Sequence, residues 1–224
     1  GAGRGGMDID VRYTMERGTS GFYTYAEYTH PASYPPAGEG ESRFILQMNP
    51  TFNWISVDKD RNQLMVTNAD ERNGVVVHAK EQRIMNTGVY ANSVEHKYSY
   101  NAVMDKLTAW GWSSTKDHIG LYFINPSMEY LSSGTNHFEL TGHIDDGDGG
   151  DPTLLDYWRG THYGGSELPV SAGEPWNKVV GPIFIYLDSA ATPDAMFSEA
   201  KAQAVRESAK WPYTCVKGVD YPET

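Results

Sequence analysis

The segment Asp156–Gly165, with the sequence DYWRGTHYGG, gathers side chains that could bind and process a sugar. The rings of Tyr157 and Tyr163 can pack on sugar faces, and Arg159 can bind an anionic group. His162 can exchange protons near neutral pH, and the final glycines let the backbone approach a ligand closely. The composition therefore indicates either a substrate-binding site or an ordinary aromatic-rich loop.

A second polar segment, Ile144–Pro152, places four aspartates among glycines. Hard oxygen ligands in a flexible loop suit Ca²⁺, although the segment lacks the terminal glutamate of an EF-hand loop. A solvated acidic turn is the alternative to a structural calcium site. The four candidate calcium ligands are Asp145, Asp146, Asp148 and Asp151.

The remaining histidines and the cysteine do not form a metal-binding pattern. No HxH or HExxH spacing supports a zinc site, and the single Cys215 excludes an internal disulfide and a thiolate cluster. We predict surface or structural roles for most histidines outside the DYWRGTHYGG segment. They are His30, His78, His118, His137 and His143.

The segment VEHKYSY, residues 94–100, has the alternation of a strand. A strand would place His96, Tyr98 and Tyr100 on one face and Lys97 on the other. The pattern therefore predicts that Lys97 points away from an aromatic packing face.

Short alternating segments bounded by Gly, Pro, Asn or Asp predict β-strands along most of the chain. DIDVRYTME places Ile9, Val11, Tyr13 and Met15 on one face. The same pattern recurs in GFYTYAEYTH, SRFILQMN, NQLMVT, GVVVHA, HIGLYFIN, NHFELTGHI and VVGPIFIYLD. Many strands at this spacing predict an all-β sandwich or barrel.

One helix is predicted near the end of the chain. Thr192 is a suitable N-cap, and Pro193 suits the first helical position. The following residues, rich in Ala, Glu and Lys, predict a helix over 193–211, which Pro212 ends. We predict one β-sandwich domain over 1–211. Residues 212–224 have no periodicity and are predicted to form a linker or the start of a downstream domain.

Charge and hydropathy exclude two classes of partner. The 224 residues carry a formal net charge of −11, whereas a nucleic-acid-binding surface needs a basic field. No apolar run approaches the roughly 20 residues that span a bilayer. An acidic substrate remains compatible with this charge if the few cations are concentrated in one groove.

Six segments, taken in chain order, carry a family resemblance. They are FYTYAEYTHP, ESRFILQMNPTFN, HKYSY, GTHYGG, GEPWNKVVGPIFIYLD and AKAQAVRESAKWPY. Together they resemble the rhamnogalacturonan lyases of polysaccharide lyase family 4. The resemblance implies a β-supersandwich (galactose mutarotase-like) catalytic domain that is secreted or periplasmic and acts on rhamnogalacturonan I in pectin. It also implies that the family's N-terminal sheet and two C-terminal domains lie outside this chain.

The family's functional residues can be carried over where the motifs match. The resemblance implies that Lys97 in HKYSY and His162 in GTHYGG are catalytic. It implies that Arg43 in GESRF and Tyr157 bind substrate. A second family tyrosine falls two residues before Tyr157, on Leu155, so this chain departs from the family pattern at that contact.

The implied reaction is β-elimination at the bond between rhamnose and O4 of galacturonate. We prefer Lys97 as the base and His162 as the acid, while the reverse order remains open. Arg43 would neutralise the substrate carboxylate, so no metal is required for the chemistry. The alternatives are a non-catalytic carbohydrate-binding β-sandwich and a sugar epimerase-like enzyme.

Overall fold

The computed structural model describes residues 6–77, 81–128, 136–144, 151–160, 168–216 and 221, with only the backbone at 159 and 160. The strands are β1 (Asp8–Thr14), β2 (Gly21–His30), β3 (Ala37–Glu39), β4 (Glu41–Gln47), β5 (Trp54–Ser56), β6 (Asn62–Leu64), β7 (Val75–Val76), β8 (Gln82–Ile84), β9 (Val94–His96), β10 (Asn101–Val103), β11 (Ala109–Ser113), β12 (Ile119–Ile124), β13 (Phe138–Leu140), β14 (Gly142–Ile144), β15 (Pro152–Gly160), β16 (Leu168–Val170) and β17 (Trp176–Ser189). The α-helices are α1 (Asn68–Asn73) and α2 (Pro193–Lys210), and the 3₁₀ helices are Lys97–Tyr100 and Met104–Lys106. Strands dominate, which confirms the predicted all-β class.

Seven strands form the largest sheet, called the first sheet, in the order β1-β2-β17-β12-β11-β5-β6. Its neighbouring strands pair antiparallel throughout. Strands β14, β15 and β4 form the second sheet, which is also antiparallel. Smaller sheets are formed by β10 with β13, by β16 with β3, and by β7, β8 and β9.

The second sheet packs on one face of the first sheet and forms a sandwich. Buried side chains fill the core between them, among them Ile55, Phe123 and Leu154. The indole nitrogens of Trp110 and Trp112 also donate hydrogen bonds to the backbone carbonyls of Leu155 and Thr153, at 3.0 and 3.1 Å. The two sheets are therefore joined by directional bonds as well as by apolar packing.

Helix α2 covers the opposite face of the first sheet and confirms the predicted helix. The Thr192 hydroxyl accepts a hydrogen bond from the Ala195 amide at 3.2 Å, and Pro193 begins the helix. The helix ends at Lys210, one residue before the predicted end. Its buried side chains are Met196, Phe197, Ala200, Ala204 and Glu207. Neither α-helix of the described chain combines the length and the apolar character needed to cross a membrane.

Glu207 anchors α2 to the first sheet and to the chain beyond the helix. Its buried carboxylate accepts hydrogen bonds from the Tyr23 and Tyr213 hydroxyls, at 3.0 and 2.7 Å. Gln203 Nε2 and Lys210 Nζ also donate to it, each at 2.8 Å. Four donors thus offset the cost of burying this charge.

The described residues after α2 pack back onto the domain. Tyr213, Val216 and Tyr221 are buried in the same apolar cluster as Met196 and Phe197. The Tyr213 amide donates a hydrogen bond to the Tyr221 hydroxyl at 2.8 Å. The folded unit therefore continues past Lys210 into the segment that follows the helix.

Candidate active site

Arg43 and Tyr157, two predicted substrate-binding residues, meet on the second sheet. They lie directly opposite each other on β4 and β15, so their side chains share one face. Arg43 Nη1 donates a hydrogen bond to the Tyr157 hydroxyl at 3.1 Å, and Arg43 Cζ lies 5.8 Å from the centroid of the Tyr157 ring. Strand pairing thus brings together two residues that are 114 positions apart.

The Arg43 guanidinium is held by two partners through one nitrogen. Besides its bond to Tyr157, Nη1 lies 2.9 Å from Glu41 Oε1. Within the described ranges, Arg43 makes no polar contact through Nε or Nη2. Because the side chain is 36% exposed, that second edge of the fork can receive a carboxylate from solvent.

Burial and neighbouring charges determine the ionisation of both groups. Burial raises the pKa of Tyr157 beyond the usual range for tyrosine, although the hydrogen bond from Arg43 lowers it. Burial lowers the pKa of Arg43, but the bond to Tyr157 and the charges of Glu41 and Glu139 outweigh it and raise the pKa above its usual value. Arg43 is therefore a permanent cation beside a neutral hydroxyl.

A β-bulge on β15 directly follows Tyr157. The register of β4 against β15 shifts between Tyr157 and Arg159, which leaves one extra residue on β15. That residue, Trp158, is buried and stacks on Phe44 with ring centroids 5.4 Å apart. Trp158 is thereby held in the sandwich core, and Tyr157 points to the outer face of the second sheet.

A small apolar cluster covers Tyr157 on this outer face. It contains Leu140, Leu155 and Tyr157, and Tyr98 packs against it. Tyr157 is only 1% exposed as a result. The Lys97 ammonium in turn lies 5.1 Å from the centroid of the Tyr98 ring. The predicted catalytic lysine is thus connected to the Arg43–Tyr157 pair through one aromatic side chain.

The segment around Lys97 is not the continuous strand that its alternation predicts. Strand β9 ends at His96, and Lys97–Tyr100 form a 3₁₀ helix. The Tyr100 ring is buried, and its backbone carbonyl accepts a hydrogen bond from Thr141 Oγ1 at 2.6 Å. These tertiary contacts stabilise a turn in place of the strand. The prediction that Lys97 points away from the aromatic side chains is wrong, because its ammonium lies over Tyr98.

Lys97 forms a close ion pair that the sequence did not indicate. Its Nζ lies 2.7 Å from Glu81 Oε1, and each side chain is only 16% exposed. The ammonium donates a charge-assisted hydrogen bond to this carboxylate. For Lys97 to accept a proton, the pair with Glu81 must therefore open or be weakened when substrate binds.

Glu139 is a buried acidic residue beside this site that the sequence analysis missed. Its Oε1 accepts a hydrogen bond from the Leu140 amide at 3.0 Å, and Oε2 lies 3.3 Å from His137 Nε2. Its charge acts, after the larger effect of burial, on the pKa of both Arg43 and Tyr157. An acidic residue between two apolar ones in a predicted strand is the signal that could have identified it.

Several predicted site residues lie outside the described residues. They are His162, Tyr163, Asp145, Asp146 and Asp148. Arg159 is described by its backbone alone, which pairs with Ser42. Asp151 lies just before β15, where its backbone carbonyl accepts a hydrogen bond from Thr153 Oγ1 at 3.2 Å. Across the described ranges, no three His, Cys, Asp or Glu side chains are grouped as a metal site, and the calcium loop stays a prediction.

A cavity of about 480 Å³ lies at the opposite end of the second sheet. Apolar side chains from several segments line it, including Phe52, Leu64, Val66, Ile144 and Pro152. Arg43, Tyr157 and Lys97 do not line this cavity. It is therefore separate from the site at Arg43 and Tyr157.

Comparison with known proteins bears on about the first third of the chain. Residues 4–81 match the sequence model of the rhamnogalacturonate lyase family. No match was found among curated proteins or among solved structures. The matched segment contains Arg43 and Glu81 and ends before Lys97, Tyr157 and His162. At the level of the family, the match points to a lyase domain that acts on a polysaccharide.

Proposed function

We propose that this chain contains the catalytic domain of a rhamnogalacturonan lyase that is secreted or periplasmic and cleaves rhamnose–galacturonate bonds of pectin by β-elimination. The Arg43–Tyr157 pair is the observation that carries the proposal. It presents a fixed, partly exposed guanidinium with one open edge, supported by the buried Tyr157. The family match over residues 4–81 includes Arg43 and supports the same substrate class.

In the proposed reaction, Arg43 binds the carboxylate of the galacturonate unit. The proton on C5 is only weakly acidic, because the adjacent carboxylate already carries a negative charge. A planar guanidinium can bind that carboxylate through two parallel hydrogen bonds. It then stabilises the additional charge that develops as C5 loses its proton.

Lys97 and His162 are the proposed proton-transfer residues. The neutral Lys97 amine takes the C5 proton, and the C5–H electron pair forms the C4–C5 double bond. The bond between C4 and O4 breaks, its electrons remain on the oxygen, and His162 protonates that oxygen. The products are an unsaturated uronate and a chain that ends in rhamnose. Tyr157 orients Arg43 throughout.

The proposed chemistry needs no metal, because Arg43 supplies the positive charge at the carboxylate. A structural calcium ion at the acidic loop remains a separate prediction. Removal of calcium by a chelator would then lower the melting temperature and leave the elimination step intact at temperatures where the protein stays folded.

The assay for the proposed function follows the new double bond. Rhamnogalacturonan is incubated with the protein, and ultraviolet absorbance is recorded against time. We expect absorbance to rise with rhamnogalacturonan and to stay flat with homogalacturonan. Flat traces with both polymers from a folded protein would refute the lyase.

Two variants test the proposed residues. Lys97→Ala and His162→Ala should each abolish elimination and leave the melting temperature within a few degrees of the wild type. Lys106→Ala and His118→Asn, at exposed positions, are the matched controls and should keep full activity. Normal turnover in Lys97→Ala or His162→Ala would remove that residue from the mechanism.

One observation favours a second function. The Lys97–Glu81 ion pair keeps a charged lysine in the site, which suits binding of an acidic sugar without any proton transfer. A non-catalytic carbohydrate-binding module would bind rhamnogalacturonan without an absorbance change. A sugar epimerase-like enzyme would instead interconvert sugar isomers, which nuclear magnetic resonance of the incubated sugar detects.

A further inference from the structure

His30, the last residue of β2, is fully buried, and both nitrogens of its imidazole ring meet backbone carbonyls. Nδ1 lies 2.7 Å from the oxygen of Glu174, and Nε2 lies 2.8 Å from the oxygen of Pro35. Glu174 belongs to the turn before β17, and Pro35 belongs to the segment after β2. One buried ring therefore joins two segments that are distant in sequence.

The two carbonyl partners determine the protonation state of this ring. A carbonyl oxygen accepts hydrogen bonds and cannot donate one. A neutral imidazole has a single N–H, so it satisfies one carbonyl and turns a nitrogen lone pair toward the other. An imidazolium donates from both nitrogens and satisfies both carbonyls. The bonds to Pro35 and Glu174 raise the pKa of His30 above its ordinary value of 6.5, although burial opposes them.

The titratable groups around the ring come from three segments. The negative charge of the Glu174 side chain raises the pKa of His30 further. The Tyr34 ring meets the imidazole edge-on, with centroids 6.1 Å apart, and its hydroxyl donates a hydrogen bond to the Asp8 carboxylate at 3.0 Å. On β17, the residue paired with His30 is the uncharged Trp176. Among the described residues, these surroundings favour the cationic form of His30.

We propose that His30 is a pH-operated clasp that ties the segment after β2, residues 31–36, to the turn at residues 171–175. The clasp is closed while the ring is an imidazolium, and it loses one of its two hydrogen bonds when the ring gives a proton to solvent. Beyond residue 36, β3 pairs with β16, and β4 with Arg43 follows. The clasp therefore acts on the chain that leads into the candidate site, and it does not depend on the proposed lyase reaction.

The raised pKa determines the pH at which the clasp opens. The folded protein holds the His30 proton more tightly than the unfolded chain does, where the ordinary pKa of 6.5 applies. The contribution of the clasp to stability is therefore fully present below pH 6.5. It is lost as the pH rises through the pKa of His30 in the folded protein.

Nuclear magnetic resonance of the wild type tests the protonation state without any variant. Protein labelled with ¹⁵N at histidine is titrated from about pH 5 to about pH 10, and both ring nitrogens of His30 are followed. We expect both nitrogens to be protonated at about pH 7 and the measured pKa of His30 to lie above 6.5. A neutral ring with a single N–H at that pH would overturn the proposal.

Hydrogen exchange measures the opening of the clasp. Amide protection in residues 31–39 and 168–171 is recorded on both sides of the measured pKa of His30, relative to the intrinsic exchange rate at each pH. We expect this protection to fall by about tenfold or more when His30 loses its proton. Amides of β11 and β12, inside the first sheet, should keep their protection. Equal protection of residues 31–39 on both sides of the pKa would contradict the opening step and the proposal with it.

His30→Asn imitates the open clasp at every pH, because one amide nitrogen can replace Nδ1 and leaves the Pro35 carbonyl without a donor. Between about pH 6 and pH 9, the melting temperature should fall by about 2–4 °C less in this variant than in the wild type. His118→Asn, at an exposed histidine, is the matched control and should follow the wild type. Equal falls in folded His30→Asn and the wild type would refute the clasp. If His30→Asn does not fold, the titration and exchange of the wild type decide.

Discussion

The Lys97 ammonium lies 2.7 Å from the Glu81 carboxylate, and the two side chains are equally shielded from solvent. The ion pair places a charge-stabilising group beside the lysine that we propose as the base. The side chain of the proposed base can reach a substrate proton only after this ion pair opens. This relationship allows the two possible orders of proton transfer to be distinguished.

Glu81→Gln should accelerate elimination by about threefold to tenfold, because loss of the carboxylate frees the Lys97 side chain from its ion pair. The initial rate of absorbance increase on rhamnogalacturonan is the measurement. Glu71→Gln breaks a similar ion pair with Arg83 and serves as the control. Slower elimination in Glu81→Gln, with a normal rate in Glu71→Gln, would make Lys97 the neutralising cation and the histidine the base.

Tyr157→Phe should lower kcat/KM by about tenfold, mainly through a higher KM, because Arg43 loses a hydrogen-bond partner while the ring packing is kept. Tyr186→Phe, on the helix-facing side of β17, removes a hydroxyl far from Arg43 and should leave both kinetic constants unchanged. An unchanged KM in Tyr157→Phe would show that Tyr157 does not position Arg43.

Glu95 should make stability depend on pH. Burial raises the pKa of Glu95 from 4.5 to about 7, and Glu71 adds to the effect while the Tyr100 hydroxyl opposes it. The folded protein therefore holds this proton more tightly than the unfolded chain does. The contribution of Glu95 to stability is fully present below its pKa in the unfolded chain. It falls as the pH rises from there to about 7 and is constant at higher pH.

Glu95→Gln should remove this decrease in the free energy of unfolding. The decrease amounts to about 2 kcal/mol between pH 5 and pH 8 after allowance for partial exposure. Urea denaturation at the two pH values measures it. Glu16→Gln, at an exposed glutamate, should retain the wild-type dependence. If the free energy of unfolding depends on pH equally in Glu95→Gln and in the wild type, Glu95 has the same pKa in the folded and the unfolded protein.

Glu207→Ala should destabilise the protein by about 3 kcal/mol or more, because two buried tyrosine hydroxyls and Lys210 lose their common acceptor. Thermal denaturation should show a clear fall in melting temperature, and limited proteolysis should cut more readily after α2. Glu199→Ala, at an exposed position on the same helix, should change neither. An unaltered melting temperature in Glu207→Ala would mean that the network adds nothing to stability.

Local patterns in the sequence predicted the elements of the fold well. Alternation located β1, β2, β4, β12 and β17, and the Thr192–Pro193 signal located the start of α2. The order of strands within the sheets could not be predicted, because β2 pairs with β17 through contacts distant in sequence. The turn at Lys97 was missed for the same reason, since Thr141, 41 positions away from Tyr100, stabilises it.

The candidate site was predictable only in part. The family resemblance identified Arg43 and Tyr157, and their pairing across β4 and β15 places them in contact. The local pattern around Glu139 marks it as unusual but does not identify its neighbours, and Glu81 carries no local signal for its role. The contacts of both residues depend on how β8, β9 and β13 pack beside the second sheet. The roles of Lys97 and His162 remain predictions.

The bonds from Trp110 and Trp112 end on β15, the strand that also carries Tyr157. Hydrogen bonds are directional, so two bonds to alternate residues of one strand fix the alignment of the two sheets more closely than apolar packing does. The position of Tyr157 is therefore fixed relative to the first sheet, on which the second sheet packs. Replacement of both tryptophans by phenylalanine would keep an aromatic ring at each core position and remove both bonds, so the alignment of the two sheets would depend on packing alone.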